Sequence, residues 1–74
     1  MAYRLSSKML ISIGKKIKKE RTVQKRTQED VAHEAGVETS YYAKVERGEA
    51  NPGLEVMHAI IKTLKLKSSE VLPF

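Results

Sequence analysis

Apolar residues recur along this chain at intervals of three and four, and the breaks in that rhythm divide it into short helices. From Met9 to about Gln24, the positions Leu10, Ile13, Ile17, Arg21 and Gln24 share one side while lysines occupy the others, which predicts a first amphipathic helix. Ser6 or Ser7 is placed to cap it. The stripe is apolar at Leu10 and polar by Gln24, so the far end is expected to leave the core. Thr27-Gln28-Glu29-Asp30 reads as a capped start, with the threonine hydroxyl accepting from a first-turn amide and an acid three residues on, as in a capping box. The second helix runs to Ala35 with Val31, Ala32 and Ala35 on one face, and Gly36 stops it. The third is expected over Thr39 to Arg47, capped by Glu38 or Thr39 and ended by Gly48, with Tyr42 and Val45 turned inward. Glu49-Ala50-Asn51-Pro52-Gly53 is a loop, since Pro52 and Gly53 both oppose helix. A fourth helix follows with Leu54, Met57, Ile60, Ile61 and Leu64 on its stripe, and residues 68–72 read as one last helical turn. The expected fold class is all-α, five short helices in one bundle, with 1–8 an N-terminal arm or frayed helix start, 9–72 the domain and 73–74 a tail.

Gln28 to Arg47 is the stretch around which the rest is arranged. Ala32 is small, as a close helix crossing requires, and Gly36 can take the positive φ of a tight bend. Two short helices crossing through a glycine turn form a helix-turn-helix, whose second helix fits the major groove of DNA. By spacing, Thr39, Ser40, Ala43 and Lys44 share the outward side of that helix, opposite Tyr42 and Val45. Lys44 can donate to guanine O6 or N7, Thr39 and Ser40 can meet base or phosphate, and the Ala43 methyl can touch a thymine methyl.

At 74 residues the chain holds one small domain, burying about 60% of the surface its unfolded form exposes. Without cysteine there is no disulfide framework or thiolate metal site. His33 and His58 stand far apart without ligand spacing, so no metal and no cofactor are expected. No nucleophile–base pairing or phosphate loop suggests an enzyme, and no catalytic residue is named. The absence of a long apolar run or a signal-peptide core points to a soluble, cytoplasmic chain that does not span a membrane. The net charge of +5 is uneven: residues 1–26 carry nine Lys/Arg and one Glu, a net of +8, and residues 27–74 carry five Lys/Arg and eight acids, a net of −3. That balance favours an anionic partner. Lys25 and Arg26, just before the second helix, are placed to meet phosphate.

The runs Ile13–Arg21 (IGKKIKKER) and Thr27–Glu55 (TQEDVAHEAGVETSYYAKVERGEANPGLE) resemble the Cro/C1-type helix-turn-helix domain, the lambda-repressor-like XRE family that includes small phage repressors and restriction–modification controller proteins. The marks are Thr-Gln-Glu opening helix two, Ala-Gly-Val at the turn, Tyr41, Glu-Arg-Gly closing helix three and Pro-x-Leu-Glu opening helix four. The resemblance covers roughly residues 10–72. It implies a five-helix fold that binds double-stranded DNA in a sequence-specific way, reading operator DNA as a dimer on a pseudo-palindrome to regulate transcription. It carries base reading onto Thr39, Ser40, Ala43 and Lys44, and phosphate contact onto Gln28, Arg47 and Asn51. It also implies an ion pair between Arg21, an odd charge on the apolar stripe of helix one, and Glu46 beside Val45. A homodimer surface would fall on Leu66, Ser69, Val71, Leu72 and Phe74. Tyr41 either packs on the helix corner or reaches a phosphate, or does both.

Several residues depart from the family pattern. Lys25-Arg26 replaces Gly-Leu, Glu38 a Ser/Thr cap, Tyr42 a buried aliphatic, Gly53 a Ser/Thr cap, Lys65 a glycine after helix four and Lys67 the cap of helix five. A second function class stays open: an antitoxin or other module that binds a protein partner. A basic amphipathic peptide acting at membranes, suggested by residues 8–19, is a third, but it leaves Gln28–Arg47 without a purpose.

Overall fold

The structure, a computed structural model, describes residues 6–66 and residue 71. These residues form four helices, α1 (Ser7–Val23), α2 (Gln28–Ala35), α3 (Thr39–Glu46) and α4 (Leu54–Thr63). The expected count of five is therefore corrected to four among the described residues; the last helical turn, over 68–72, falls almost wholly outside them. The Ser6 hydroxyl accepts from Met9 N–H at 3.2 Å and starts α1 two residues earlier than periodicity suggests. At α2 the capping box is complete: Thr27 Oγ1 accepts from Asp30 N–H at 3.0 Å, and the Asp30 carboxylate accepts from Thr27 N–H at 3.1 Å.

The core gathers Ile13 and Ile17 from α1, Val31 and Ala32 from α2, Tyr42 and Val45 from α3, and Met57, Ile60, Ile61 and Leu64 around α4. α2 packs against α3 and α4, and α1 packs against α3. Leu54, expected on the α4 stripe, is 81% exposed. It is the first residue of its helix, one turn ahead of the part that meets the core.

The polar end of α1 does not leave the body, contrary to expectation. Gln24 Nε2 donates to Leu64 O at 2.8 Å and to Glu20 Oε1 at 3.1 Å, and Arg21 reaches α3. Polar side chains with partners fill a place that burial of apolar groups would otherwise occupy.

Each helix ends the same way. One or two residues past the helix, a residue takes a left-handed φ, and two amides turn back onto carbonyls of the last turn. Gly36 N–H donates to His33 O and Val37 N–H to Ala32 O, at 3.2 and 2.9 Å. The same pair of bonds occurs at Lys25, Gly48 and Lys65. Glycine takes that φ at Gly36 and Gly48, but lysine takes it at Lys25 (φ 57°) and Lys65 (φ 59°).

Candidate nucleic-acid interface

Gly36 (φ 77°) sets the angle at which α3 leaves α2, and nothing lies within 4 Å of where its side chain would be. The turn is therefore open to solvent, and the glycine serves the backbone conformation alone. α3 follows with Glu38 before it, whose side chain makes no capping hydrogen bond. The first-turn amides of α3 have no side-chain acceptor from that residue, unlike those of α2.

The inner face of α3 is held tightly. Arg21 Nε donates to Glu46 Oε2 at 2.6 Å and Nη2 to Glu46 Oε1 at 3.2 Å, a two-pronged pair between α1 and α3. The Glu46 side chain is 1% exposed. Arg21 Nη1 also donates to Arg26 O at 2.8 Å, and Gln28 Nε2 donates to Glu46 Oε1 at 2.9 Å, so one carboxylate ties α1, α2 and α3 together. Burial raises the Glu46 pKa, but donation from Arg21 and Gln28, with the Tyr42 hydroxyl close by, outweighs it and leaves the carboxyl below its ordinary value. Tyr42 is fully buried beside this pair; burial, then the Glu46 carboxylate, pushes its phenol well above the usual range. Its hydroxyl has no hydrogen-bond partner of good geometry among the described residues.

α1 lies so close to the end of α3 that a Cβ on Gly14 would stand 2.3 Å from Glu46 O and 2.6 Å from Val45 O. This glycine escaped notice in the sequence, where its only signal is a glycine inside a helical pattern.

The outer face of α3 is different in kind. Thr39, Ser40 and Lys44 are exposed, and Ala43 is half-buried between them. Arg47 at the helix end is exposed and pairs with Glu49 at 3.1 Å, and Asn51 is exposed in the following loop. Lys25 is exposed, and Tyr41 is half-buried against the core. Arg26, expected at phosphate, is turned inward: Nη1 donates to Thr63 O at 3.0 Å and Nη2 to Glu34 Oε1 at 2.6 Å. The open carbonyls at the end of α4 and the carboxylate on α2 draw it there. Of the residues named for a dimer surface, Val71 is 1% exposed and belongs to the core, and Leu66 is half-buried against it. Ser69, Leu72 and Phe74 lie outside the described residues. No group of metal-binding residues occurs among the described ones, nor any helix long and apolar enough to cross a membrane.

A family model described as helix-turn-helix matches residues 17–71. The chain belongs to the XRE-type helix-turn-helix family. It is thus a DNA-binding regulator by family, and its relatives are transcription regulators, not enzymes. Among solved structures it is similar to the restriction-modification controller protein C.AhdI from Aeromonas hydrophila, with 28% identity and a TM-score of 0.81 over 85% of this chain and 96% of that one. The controller protein C.Esp1396I, solved as a tetramer in complex with its natural 35 base-pair operator, is 28% identical with a TM-score of 0.76 over 82% and 80%. The clp gene regulator ClgR from Corynebacterium glutamicum, at 18% identity and a TM-score of 0.82 over 96% and 88%, shares the fold. A comparison with curated protein sequences gives no match. The chain has the Arg21–Glu46 pair that the resemblance implies, and lysine at the left-handed positions past α1 and α4.

Proposed function

We propose that the chain regulates transcription by binding operator duplex DNA, with α3 in the major groove and two copies on a pseudo-palindrome. The observation that supports this most is the asymmetry of α3: Thr39, Ser40 and Lys44 project into solvent while Glu46 on the same helix is locked to α1 and α2. Thr39, Ser40, Ala43 and Lys44 would face base edges. Arg47 would exchange Glu49 for a phosphate, since an exposed pair of that kind is worth only about 0–1 kcal/mol. Asn51, Lys25 and the Tyr41 hydroxyl would add backbone contacts. Gln28 would contribute its backbone N–H and the amide hydrogen not given to Glu46. Arg26 drops out of this set, because its guanidinium already has partners. The dimer surface would use Leu66, Ser69, Leu72 and Phe74 without Val71, setting half-sites about 34–36 Å apart. The operator complex of C.Esp1396I lends this reading its precedent. No observation favours the antitoxin alternative.

Selection from random-sequence duplexes followed by sequencing tests the proposal, with a divided repeat as the expected product. Lys44→Ala should flatten the preference at one position and cost about 1–3 kcal/mol there. Arg47→Ala should weaken all sequences alike and lower the salt slope by about 1. Equal effects from the two changes, or no preference in the parent, would reject the reading.

A further inference from the structure

Lys8, Lys15, Lys16, Lys18 and Lys19 are all exposed on α1, and the proposed groove contact uses none of them. At 3.6 residues per turn, Lys8, Lys15 and Lys19 fall in one narrow sector opposite the side that buries Ile13 and Ile17, flanked by Ser12 and Thr22. The ion pairs among the described residues involve none of these lysines. The only acid of α1, Glu20, accepts from Gln24 instead. Lys15 and Lys19, one turn apart, repel each other and weaken the helix by doing so. The acids that could relieve them are all placed later in the chain, at Glu29 and beyond.

We propose that this lysine face is a second duplex-binding surface, which holds the phosphates of a DNA segment other than the one whose groove α3 enters. The proposal rests on the DNA-binding reading above. The chemistry of the face selects the partner. Protein interfaces are anchored by buried aromatic residues, methionine or arginine and are depleted in lysine, and this sector offers lysine, serine and threonine, with the exposed Ile11 and Val23 at its two edges and no aromatic residue, methionine or arginine. A membrane-lying helix needs an apolar side to insert, and the apolar side of α1 is in the core. A polyanion needs no anchor, because neutralising its phosphates releases condensed counterions. Lys8 to Lys19 spans about 16 Å of helix axis, room for several phosphates. α1 meets the end of α3 through Gly14, and the lysine sector lies opposite the buried isoleucines and about 100–140° around α1 from Gly14. A duplex seated there is a different segment from the one in the groove.

The test compares the parent with the triple variant Lys8→Ser, Lys15→Ser, Lys19→Ser, whose positions are all exposed and whose thermal melt should match or exceed that of the parent. Binding to an unrelated duplex is titrated against salt, and the slope of log K on log salt should be shallower in the variant by about 2.7, three phosphates at about 0.9 each. In a second arm, protein held on an immobilised selected duplex is offered a labelled unrelated duplex. The parent should retain it, and the variant should retain at least tenfold less while keeping its sequence preference. Equal slopes and equal retention would overturn the proposal. Anionic phosphatidylserine vesicles that strip the second duplex from the parent, and bind the parent but not the variant, would assign the face to membranes and overturn it too. If no sequence preference is found, the groove reading fails by itself, and the slope difference still decides the lysine face.

Discussion

The two sides of α3 show opposite treatments of one eight-residue helix. Inward, Tyr42, Val45 and Glu46 are buried, and Glu46 accepts from Arg21 on α1 and from Gln28 at the start of α2. Outward, Thr39, Ser40 and Lys44 are exposed, and their side chains make no hydrogen bond among the described residues. So short a helix has little stability by itself. The inner side supplies the rigidity that lets the outer side stay uncommitted, with donors and acceptors available for a partner. Changes on the inner side should therefore act on stability, and changes on the outer side on recognition.

The hardest blow to the inner side is Glu46→Ala. It leaves the Arg21 guanidinium, at 13% exposure, and the Gln28 amide without their acceptor. The expected loss is about 3–5 kcal/mol of unfolding free energy by urea titration, from an uncompensated charge. Lys44→Ala should leave the same titration within about 0.5 kcal/mol of the parent. A pH series isolates the carboxylate. The folded-state pKa of Glu46 is depressed, so its contribution is complete above the ordinary carboxyl pKa and disappears as pH falls through the folded value. The stability gap between parent and Glu46→Gln should be constant at neutral pH and close on acidification. A gap that widens in acid would refute the assignment. Asp30, held low by the Thr27 amide and hydroxyl, gives both proteins the same acid limb and cancels.

Next comes Gly14→Ala, which puts a methyl against carbonyl oxygens that belong to α3 backbone and cannot swing aside. Overpacking of this kind costs about 1–3 kcal/mol, offset by about 1 kcal/mol from alanine's better helix propensity. The net loss should be about 0–2 kcal/mol. If melting shows a gain instead, α1 does not pack this closely on α3.

Smaller again is Tyr42→Phe. The hydroxyl is buried without a partner of good geometry, so removing it should be neutral or stabilise by about 1 kcal/mol. A loss above about 1 kcal/mol would mean that the hydroxyl donates to Glu46 and is part of the inner network. Denaturant titration of Tyr42→Phe in the parent and in Glu46→Gln separates these cases, because coupled groups give non-additive changes.

What the sequence disclosed, and what it withheld, follows the same division. The α2 boundaries, the capping box and the left-handed Gly36 were legible because they depend on residues within four positions of each other. The outward set on α3 was legible as well, since helical spacing alone fixes which residues oppose Tyr42 and Val45. The direction of Arg26 was not. A long side chain at a helix start can reach outward to a phosphate or back to the last carbonyls of α4, and only the position of Thr63 decides between them. The tight approach at Gly14 depends on where the end of α3 passes, which no local pattern encodes. Val71 reads as an interface residue when helix five is imagined by itself, yet it is buried within its own chain. Gln24 and Arg21 made one end of α1 look ready to leave the body, because their partners on α3 and at the end of α4 are far away in sequence.

The smallest expected effect contrasts two residues outside α3 that share one backbone state. Lys25 and Lys65 both hold left-handed φ and both follow a helix with the same pair of returning amide bonds. A side chain in that region costs about 1–2 kcal/mol relative to glycine, while glycine makes the unfolded chain freer by about 0.4–1 kcal/mol. Lys25→Gly and Lys65→Gly should therefore each stabilise by about 0.5 kcal/mol, seen as a rise in Tm of about 2–4 °C. Binding should tell them apart. Lys25 stands two residues before the cap of α2, on the side assigned to phosphate, whereas Lys65 follows α4. The first change should lower the slope of log K on log salt by about 1, and the second should leave it as it was. Stability gained in both with affinity lost in one would mean that Lys25 is kept in a strained conformation for a contact with DNA. Stability gained in both with affinity unchanged would reduce Lys25 to a surface charge and move the boundary of the outward-facing region to α3 and the loop after it.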